Sequence, residues 1–391
     1  MIHLDVDYKS MNKNGEELCG DMVEIIRGED ADIVVLSDGL GSGVKANILA
    51  TLTTKIITTM LKEGSSVDEA VDTVVHTLPI CKTRGIAYST FSILRIDHEG
   101  HAYLAEFDSP ATVLVRNGEL LEIEYETREI SGKSVREASF DVAPGDLFCL
   151  ISDGVIHAGV GALLNFGWQW DNVANFVTEC GQKKLSAPRC AAALSQVVSG
   201  LYMEKPGDDS TMLFVRVMPR RTVALLSGPP VDKADDEGMV RDFMKCGQKK
   251  VVCGGSSANM VGRILGRPVV TSLDFGDGGA PPTATIQGLD LVTEGVLTLS
   301  RAADILRTCS KSDPEAAAEG IKALDGKNGA AELARLLLED CTHLQCFVGR
   351  AVNPAHQNPA LPVDLGIKIR LIEGLCEVLR KMGKVAEITY Y

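Results

Sequence analysis

The sequence predicts an α+β protein in two parts: two antiparallel sheets flanked by helices over residues 1–218, then a smaller α/β domain over residues 219–391. Three observations predict it. Short β-rich runs in the first part are parted by turn residues, and Asn117-Gly118 is a two-residue hairpin signal, so neighbouring strands pair antiparallel. Amphipathic helical segments accompany those runs, and each must cover something apolar. After a composition break at Met218-Pro219-Arg220-Arg221 the order becomes strand, helix, strand, helix, strand, the alternation of a parallel unit.

Residues 33–36, 90–96, 101–107, 112–115, 147–151 and 211–217 read as strands, and 120–123 as the return strand of the Asn-Gly hairpin. Residues 43–62 read as a helix with Val44, Ile48, Leu49, Leu52, Ile56, Ile57, Met60 and Leu61 on its apolar face, ending at Gly64. The next helix starts at a capping box, Ser66 with Glu69, and stops at Pro79. A helical pair at 171–180 and 186–203 precedes the last strand. In the second part strands are expected at 223–226, 250–253 and 268–271, helices at 236–245 and 257–265, longer helices at 330–348 and 365–382, and a terminal strand at 385–390.

Composition bounds the function. The chain has 391 residues, 45% hydrophobic and 24% charged, which suits two globular domains rather than disorder. A formal charge of −14 leaves no basic stripe to offset phosphate repulsion, so no nucleic-acid partner is expected. The N-terminus lacks the basic-then-apolar pattern of a secretory signal, and no apolar run approaches the ~18 residues needed to span a bilayer. The 11 cysteines are scattered through apolar runs, as reduced buried thiols are. A cytoplasmic protein is expected, without a membrane partner.

One theme recurs four times: an apolar strand that meets an aspartate beside glycine or a turn. The places are Gly20-Asp21, Asp38-Gly39-Leu40-Gly41-Ser42-Gly43, Ser152-Asp153-Gly154 and Asp208-Asp209-Ser210-Thr211. Each alone is ordinary turn chemistry. Together they differ, because Gly39, Gly41 and Gly43 alternate at a strand-to-helix junction and so permit close backbone approach. Carboxylates beside interior strands repel one another unless cations neutralise them. Oxygen ligands with no supporting His or Cys cluster point to magnesium or manganese rather than zinc. Two such ions can activate water and clamp an in-line phosphoryl displacement.

These four motifs, in this order, resemble the protein phosphatase 2C superfamily, in the form of the bacterial stage II sporulation protein E-type serine/threonine phosphatase domain. Residues 90–96 and 111–118 are similar to that branch as well, and the resemblance covers about residues 1–218. It implies a β-sandwich with helices on both outer faces, and metal-dependent hydrolysis of phosphoserine or phosphothreonine in a protein by a metal-bridging hydroxide. It further implies two Mn2+ or Mg2+ ions. Asp38 would bridge both, the Gly39 carbonyl would hold one, Asp153 and Asp208 would ligate the other, and Asp21 would stand nearby. Asp209 matches a supporting position. By the same resemblance the phosphorylated partner is similar to a small anti-sigma-factor antagonist. One departure stands out: Glu106-Phe107-Asp108-Ser109-Pro110-Ala111 replaces an Asn-Ala-Gly-His-Pro-Pro-like segment, with the glycine lost. The N-terminal sensory or membrane module usual in the branch is expected to be absent, so regulation is expected from residues 219–391.

Other signals carry less. The glycine turn at 39–43 has its third glycine one position early for a dinucleotide fingerprint. Gly254-Gly255-Ser256-Ser257 reads as a strand-to-helix connection with Ser256 or Ser257 as N-cap. Cys341, His343, Cys346 and His356 do not have zinc-finger spacing. An alternative to catalysis remains: a non-catalytic switching module that keeps the fold and senses a ligand through residues 219–391.

Overall fold

The computed structural model describes residues 2–77, 89–130, 132–271, 283–351 and 364–391; Pro79 and His356 lie outside the described residues. The chain divides into two compact units, one of Met1–Pro219 with Lys311–Ala318 and the other of Arg220–Ser310 with Glu319–Tyr391. No helix among the described residues is long and apolar enough to cross a membrane.

The strands up to residue 219 are β1 (Ile2–Met11), β2 (Asp21–Arg27), β3 (Ala31–Gly39), β4 (Ser89–Asp97), β5 (His101–Phe107), β6 (Val113–Arg116), β7 (Glu119–Leu121), β8 (Glu126–Ile130), β9 (Lys133–Asp141), β10 (Leu147–Ile151) and β11 (Ser210–Pro219). Helices α1 (Gly43–Lys62) and α2 (Val67–Thr77) follow β3, while α3 (Asp153–Ile156), α4 (Trp170–Gln182) and α5 (Ala187–Leu201) follow β10. The strands form two antiparallel sheets, ordered β1-β11-β10-β6-β7 and β2-β3-β4-β5-β9-β8. Because side chains alternate along a strand, each sheet has an inner and an outer apolar face. Leu4, Phe148, Leu150 and Leu213 of one sheet meet Val34, Leu36, Leu94 and Leu104 of the other between the layers. Outside, Cys149 and Phe214 pack under Val177, Leu194 and Val198 of α4 and α5. On the opposite outer face Val35 and Ile93 pack under Ile57, Val71 and Val74 of α1 and α2. This is the sandwich of two antiparallel sheets flanked by helices that the sequence predicts.

Two local signals are seen as expected. The Ser66 N–H donates to Glu69 Oε2 at 2.9 Å while the Glu69 N–H donates to Ser66 Oγ at 3.2 Å, closing the capping box. Asn117 and Gly118 both take positive φ, 55° and 79°, as the tight hairpin between β6 and β7 requires. The face of α1 differs from expectation. Its buried residues are Gly43, Ala46, Ala50, Thr53, Thr54, Ile57 and Thr58. Val44, Ile48 and Leu52 are instead exposed, at 57, 52 and 45%. The reason is proximity. A Cβ on Gly39 would collide with the Ala46 carbonyl oxygen, so α1 lies against β3 nearly backbone to backbone and only small side chains fit between.

From residue 220 onward come β12 (Thr222–Ser227), α6 (Asp236–Lys245), β13 (Lys249–Cys253), α7 (Gly255–Leu265), β14 (Val270–Thr271), β15 (Ala284–Thr285), β16 (Leu291–Thr293), α8 (Val296–Cys309), α9 (Pro314–Leu324), α10 (Gly329–Glu339), β17 (His343–Val348), α11 (Asp364–Lys381) and β18 (Val385–Tyr390). The sheet order is β14-β15-β16-β13-β12-β17-β18, with β16, β13, β12, β17 and β18 parallel. Three expectations are corrected. Residues 268–271 supply only a two-residue antiparallel edge strand, and the third parallel strand is β16. The helix expected at 330–348 ends at Glu339, where the buried Lys384 Nζ donates to the Leu338 and Cys341 carbonyls and closes the last turn, and the remainder is β17. Helix α7 has Gly254, not a serine, at its N-cap, because Ser257 Oγ accepts from the Gly228 N–H at 2.7 Å instead.

Candidate metal centre

The four aspartate motifs are delivered by strand register. Asp21 opens β2 and Asp38 stands near the end of β3, and the two are directly paired across that ladder. Asp153 opens α3 immediately beyond β10, and Asp208 precedes β11, with β10 and β11 paired through Ile151 and Met212. A Cβ on Gly154 would strike the Asp209 carbonyl oxygen, so the Asp153 turn lies directly on the Asp208-Asp209 segment. Ser152 joins the two sheets. Its hydroxyl accepts from the Thr211 N–H at 2.8 Å and donates to Asp21 Oδ2 at 2.7 Å.

Crowding of like charges shows in how these acids hold protons. Burial, then the charges of Asp21, Asp153, Asp208 and Asp209, push the Asp38 carboxyl up to about 9. The Asp153 carboxyl is raised by burial and then by Asp208, against the lowering influence of His157 and of the neighbouring Asp38 carboxyl. Burial raises Asp21 to about 7 despite the hydrogen bond from Ser152, with Asp209 and Asp153 adding to it. Asp208 sits at the rim, its side chain 44% exposed and 3.5 Å from Lys13 Nζ. Among the described residues, no three His, Cys, Asp or Glu side chains are gathered into a set that could hold a metal ion as they stand.

The donor chemistry nonetheless fits hard divalent cations. Asp21 Oδ1 and Asp209 Oδ2 are buried without a hydrogen-bond partner, and buried oxygens of that kind need a proton or a cation. Asp209 also organises the surroundings. Its Oδ1 accepts from the Lys13 N–H at 2.9 Å and its Oδ2 lies 2.7 Å from where a Cβ on Gly20 would be. Of the alternating glycines, Gly39 and Gly43 approach this chain's own atoms, whereas Gly41, at φ 106°, has open space where a Cβ would stand. Gly39 meets Ala46 and donates its N–H to the Gly20 carbonyl, and Gly43 faces the Glu16 carboxylate. Ser152 belongs to a motif the sequence singles out, but its role as a bridge to Asp21 has no sequence signal, and neither has Glu16.

The departure at residue 108 has a conformational answer. Asp108 has φ 48°, the left-handed region that glycine favours and aspartate tolerates. The loop is braced from behind by Glu106, whose carboxylate accepts from the Thr112 N–H and hydroxyl at 2.8 and 2.6 Å and from Arg136 at 2.8 Å. Among the described residues, Cys341, His343 and Cys346 are not gathered into a set that could hold a metal ion. Cys346 on β17 faces Cys376, with the sulfurs 3.8 Å apart, and His343 contacts the Thr342 hydroxyl.

Residues 29–218 match the family model described as stage II sporulation protein E, a span that holds Asp38, Gly39, Asp153 and Asp208 and begins after Asp21. No curated protein matches the chain. Among solved structures it is similar to the protein phosphatase 2C domain with a regulatory-domain fragment of SpoIIE from Bacillus subtilis, at 21% identity, 56% of this chain, 64% of that chain and TM-score 0.47. It is similar to the RsbU and RsbW domains of a Mycobacterium tuberculosis protein, at 17% identity over 62% of this chain and 70% of that one, TM-score 0.46. It is also similar to RsbX, solved in complex with magnesium, at 19% identity over 56% of this chain and 100% of that one, TM-score 0.42. The chain thus spans 64% of the length of the first of these structures. What the comparisons show is thus a match of residues 29–218, within the first unit, to the stage II sporulation protein E family.

Proposed function

We propose that the first unit hydrolyses phosphoserine or phosphothreonine in a protein substrate with two divalent cations, Mn2+ or Mg2+, held by Asp21, Asp38, the Gly39 carbonyl, Asp153 and Asp208. What supports the reading most is Asp38, a carboxyl kept protonated to about pH 9 by burial and by four other aspartates. Such a cluster is a poor structural device and a good cation host. Bound there, the cations would supply the charge that lets water attack phosphorus near neutral pH and would offset the charge of the phosphoryl oxygens.

The chain's own residues prepare the site. Ser152 holds Asp21 at the seam between the sheets, and Asp209 pins the Lys13 backbone and so the 12–20 loop. Asp208 must leave Lys13 to complete a ligand set, and an exposed pair of this kind is worth only about 0–1 kcal/mol. With cations bound, Asp38 would hold them as a carboxylate, its proton released to solvent.

The test is release of phosphate from a serine-phosphorylated protein in Mn2+, compared with Asp38→Ala and Asp153→Ala. Activity in the parent, lost in EDTA and in both variants while they remain folded, is expected; activity that survives either substitution or EDTA refutes the assignment. A second reading, a non-catalytic switching module in a cytoplasmic signalling pathway that keeps the fold and senses a ligand through residues 219–391, draws on the open arrangement of the acids among the described residues. Under it, removing residues 220–391 changes the rate; an unchanged rate sinks it. A partner similar to an anti-sigma-factor antagonist belongs to the same proposal.

A further inference from the structure

The stretch Val155–Trp170, which leads directly out of the Asp153 turn, contains no Asp, Glu, Lys or Arg, in a chain that is 24% charged. It is nonetheless a surface segment. Phe166 is 81% exposed, Leu163 58% and Val160 50%. Single exposed apolar residues are common, but three within seven residues on an uncharged surface loop mark a face meant to be covered.

The loop is built rather than loose. The His157 N–H donates to the Asp153 carbonyl at 3.0 Å, the Val160 N–H to His157, the Leu164 N–H to Gly159 at 2.9 Å and the Gln169 N–H to Ile156 at 2.9 Å. Gly159 packs on Leu164 and Gly167 on the Ile156–His157 backbone. Just after α5 a fourth exposed apolar side chain is displayed at a cost. Met203 and Glu204 have φ of 53° and 61°, consecutive non-glycine residues in the left-handed region, and Met203 is 62% exposed. The neighbouring Tyr202 hydroxyl donates to the Gly154 carbonyl at 2.7 Å, which ties that turn to the Asp153 turn.

We propose that Val160, Leu163, Phe166 and Met203 form an apolar docking ledge for the phosphoprotein substrate, an inference that rests on the hydrolytic reading above. Phosphoserine is short, with its phosphorus only about 4 Å from its own Cα by standard bond lengths. A phosphoserine whose phosphate reaches the acids brings its own backbone and flanking residues onto the surface around Asp153. The exposed Glu204 and Lys205 stand beside Met203. The loop part of the ledge is continuous with that turn and uncharged, so the face of the substrate protein that meets the loop is apolar too. Small phosphate esters have nothing to place there.

The experiment uses the full chain with Mn2+ and two probes, serine-phosphorylated β-casein and p-nitrophenyl phosphate, on the parent and on Phe166→Ser with Leu163→Ser. Both side chains are exposed, so their loss removes no core packing, and circular dichroism checks that the variant is folded. Loss of a buried aromatic anchor in an interface costs enough to lower the ratio of kcat/KM on casein to that on p-nitrophenyl phosphate about tenfold. Binding of labelled phospho-β-casein to the Asp38→Asn protein reads docking without turnover, and the same two substitutions should weaken it about tenfold. An unchanged ratio with unchanged binding overturns the ledge. Equal loss on both probes assigns the loop a structural role and also overturns it. A parent that sediments as a dimer and a variant that sediments as a monomer makes a second copy of this chain the occupant, against the proposal. Failure of the hydrolytic reading looks different, because the parent itself is then inactive on both probes.

Discussion

Replacing Asp38 with asparagine removes the group most burdened by its neighbours, and its effect on stability can be worked from the proton it carries. In the cation-free protein Asp38 is protonated up to about pH 9, against 3.8 when unfolded. The folded form therefore binds the extra proton between those values, so this residue's contribution to stability falls as pH rises through that window, opposite to a salt-bridged aspartate. At pH 7.5 the cost of folding with Asp38 relative to a neutral isostere is ~1.36 × (7.5 − 3.8), about 5 kcal/mol as an upper bound, and at pH 5.0 about 1.6 kcal/mol. Asparagine also loses solvation on burial, so a net gain of roughly 2–4 kcal/mol at pH 7.5 is expected. For a unit of this size that is a rise in Tm of roughly 5–15 °C. The assay is thermal unfolding of parent and Asp38→Asn in EDTA at both pH values. The variant should be the more stable, with a clearly larger gap at pH 7.5. Added Mn2+ should then raise the Tm of the parent and leave the variant nearly unmoved, because only a binder of the folded form stabilises it. A variant destabilised by the same amount at both pH values would refute the electrostatic reasoning altogether.

Two further substitutions probe the frame. Gly39→Ala places a methyl group on the Ala46 carbonyl and should cost ~2–4 kcal/mol in thermal or urea unfolding, even in EDTA; a neutral result would mean that α1 does not lie so close to β3. Asp108→Gly relieves a left-handed aspartate and should be neutral to stabilising by up to ~1 kcal/mol, read as a shift in the urea midpoint, whereas Asp108→Val at the same φ should destabilise.

What the sequence makes legible follows from what leaves a local trace. Strands 101–107 and 147–151 are short apolar runs bounded by turn residues, and the structure has them as His101–Phe107 and Leu147–Ile151. Strand β1 left no such trace, because its outward positions are Asp5, Asp7 and Lys9, of which Asp5 and Lys9 are buried and Asp7 is half-buried, with Asp5 accepting from the Ala187 N–H at 2.9 Å. The run 330–348 reads as one helix because apolar residues continue through it without Gly or Pro, and its break is made by a lysine more than 40 residues away, at 384. For α1 the periodicity was right and the buried face partly so. Ile57 is buried and Leu49, Ile56 and Leu61 pack on the core, but Val44, Ile48 and Leu52 give way to Gly43, Ala46, Ala50 and Thr53, since closeness of approach outweighed hydrophobicity there. The acids were legible as motifs, but their support by Ser152 and Asp209 arises only once two sheets meet.

The bridge made by Ser152 bears on how the two layers stay aligned. Apolar surfaces in contact gain nearly the same free energy over a range of small displacements, so oil-like contact alone leaves one layer able to slip over the other. A hydroxyl that must point its proton at Asp21 while receiving one from Thr211 has a single orientation and tolerates little slip. Alignment of the layers, and with it the spacing between Asp21 on one and Asp153 on the other, is thereby tied to the direction of one O–H bond.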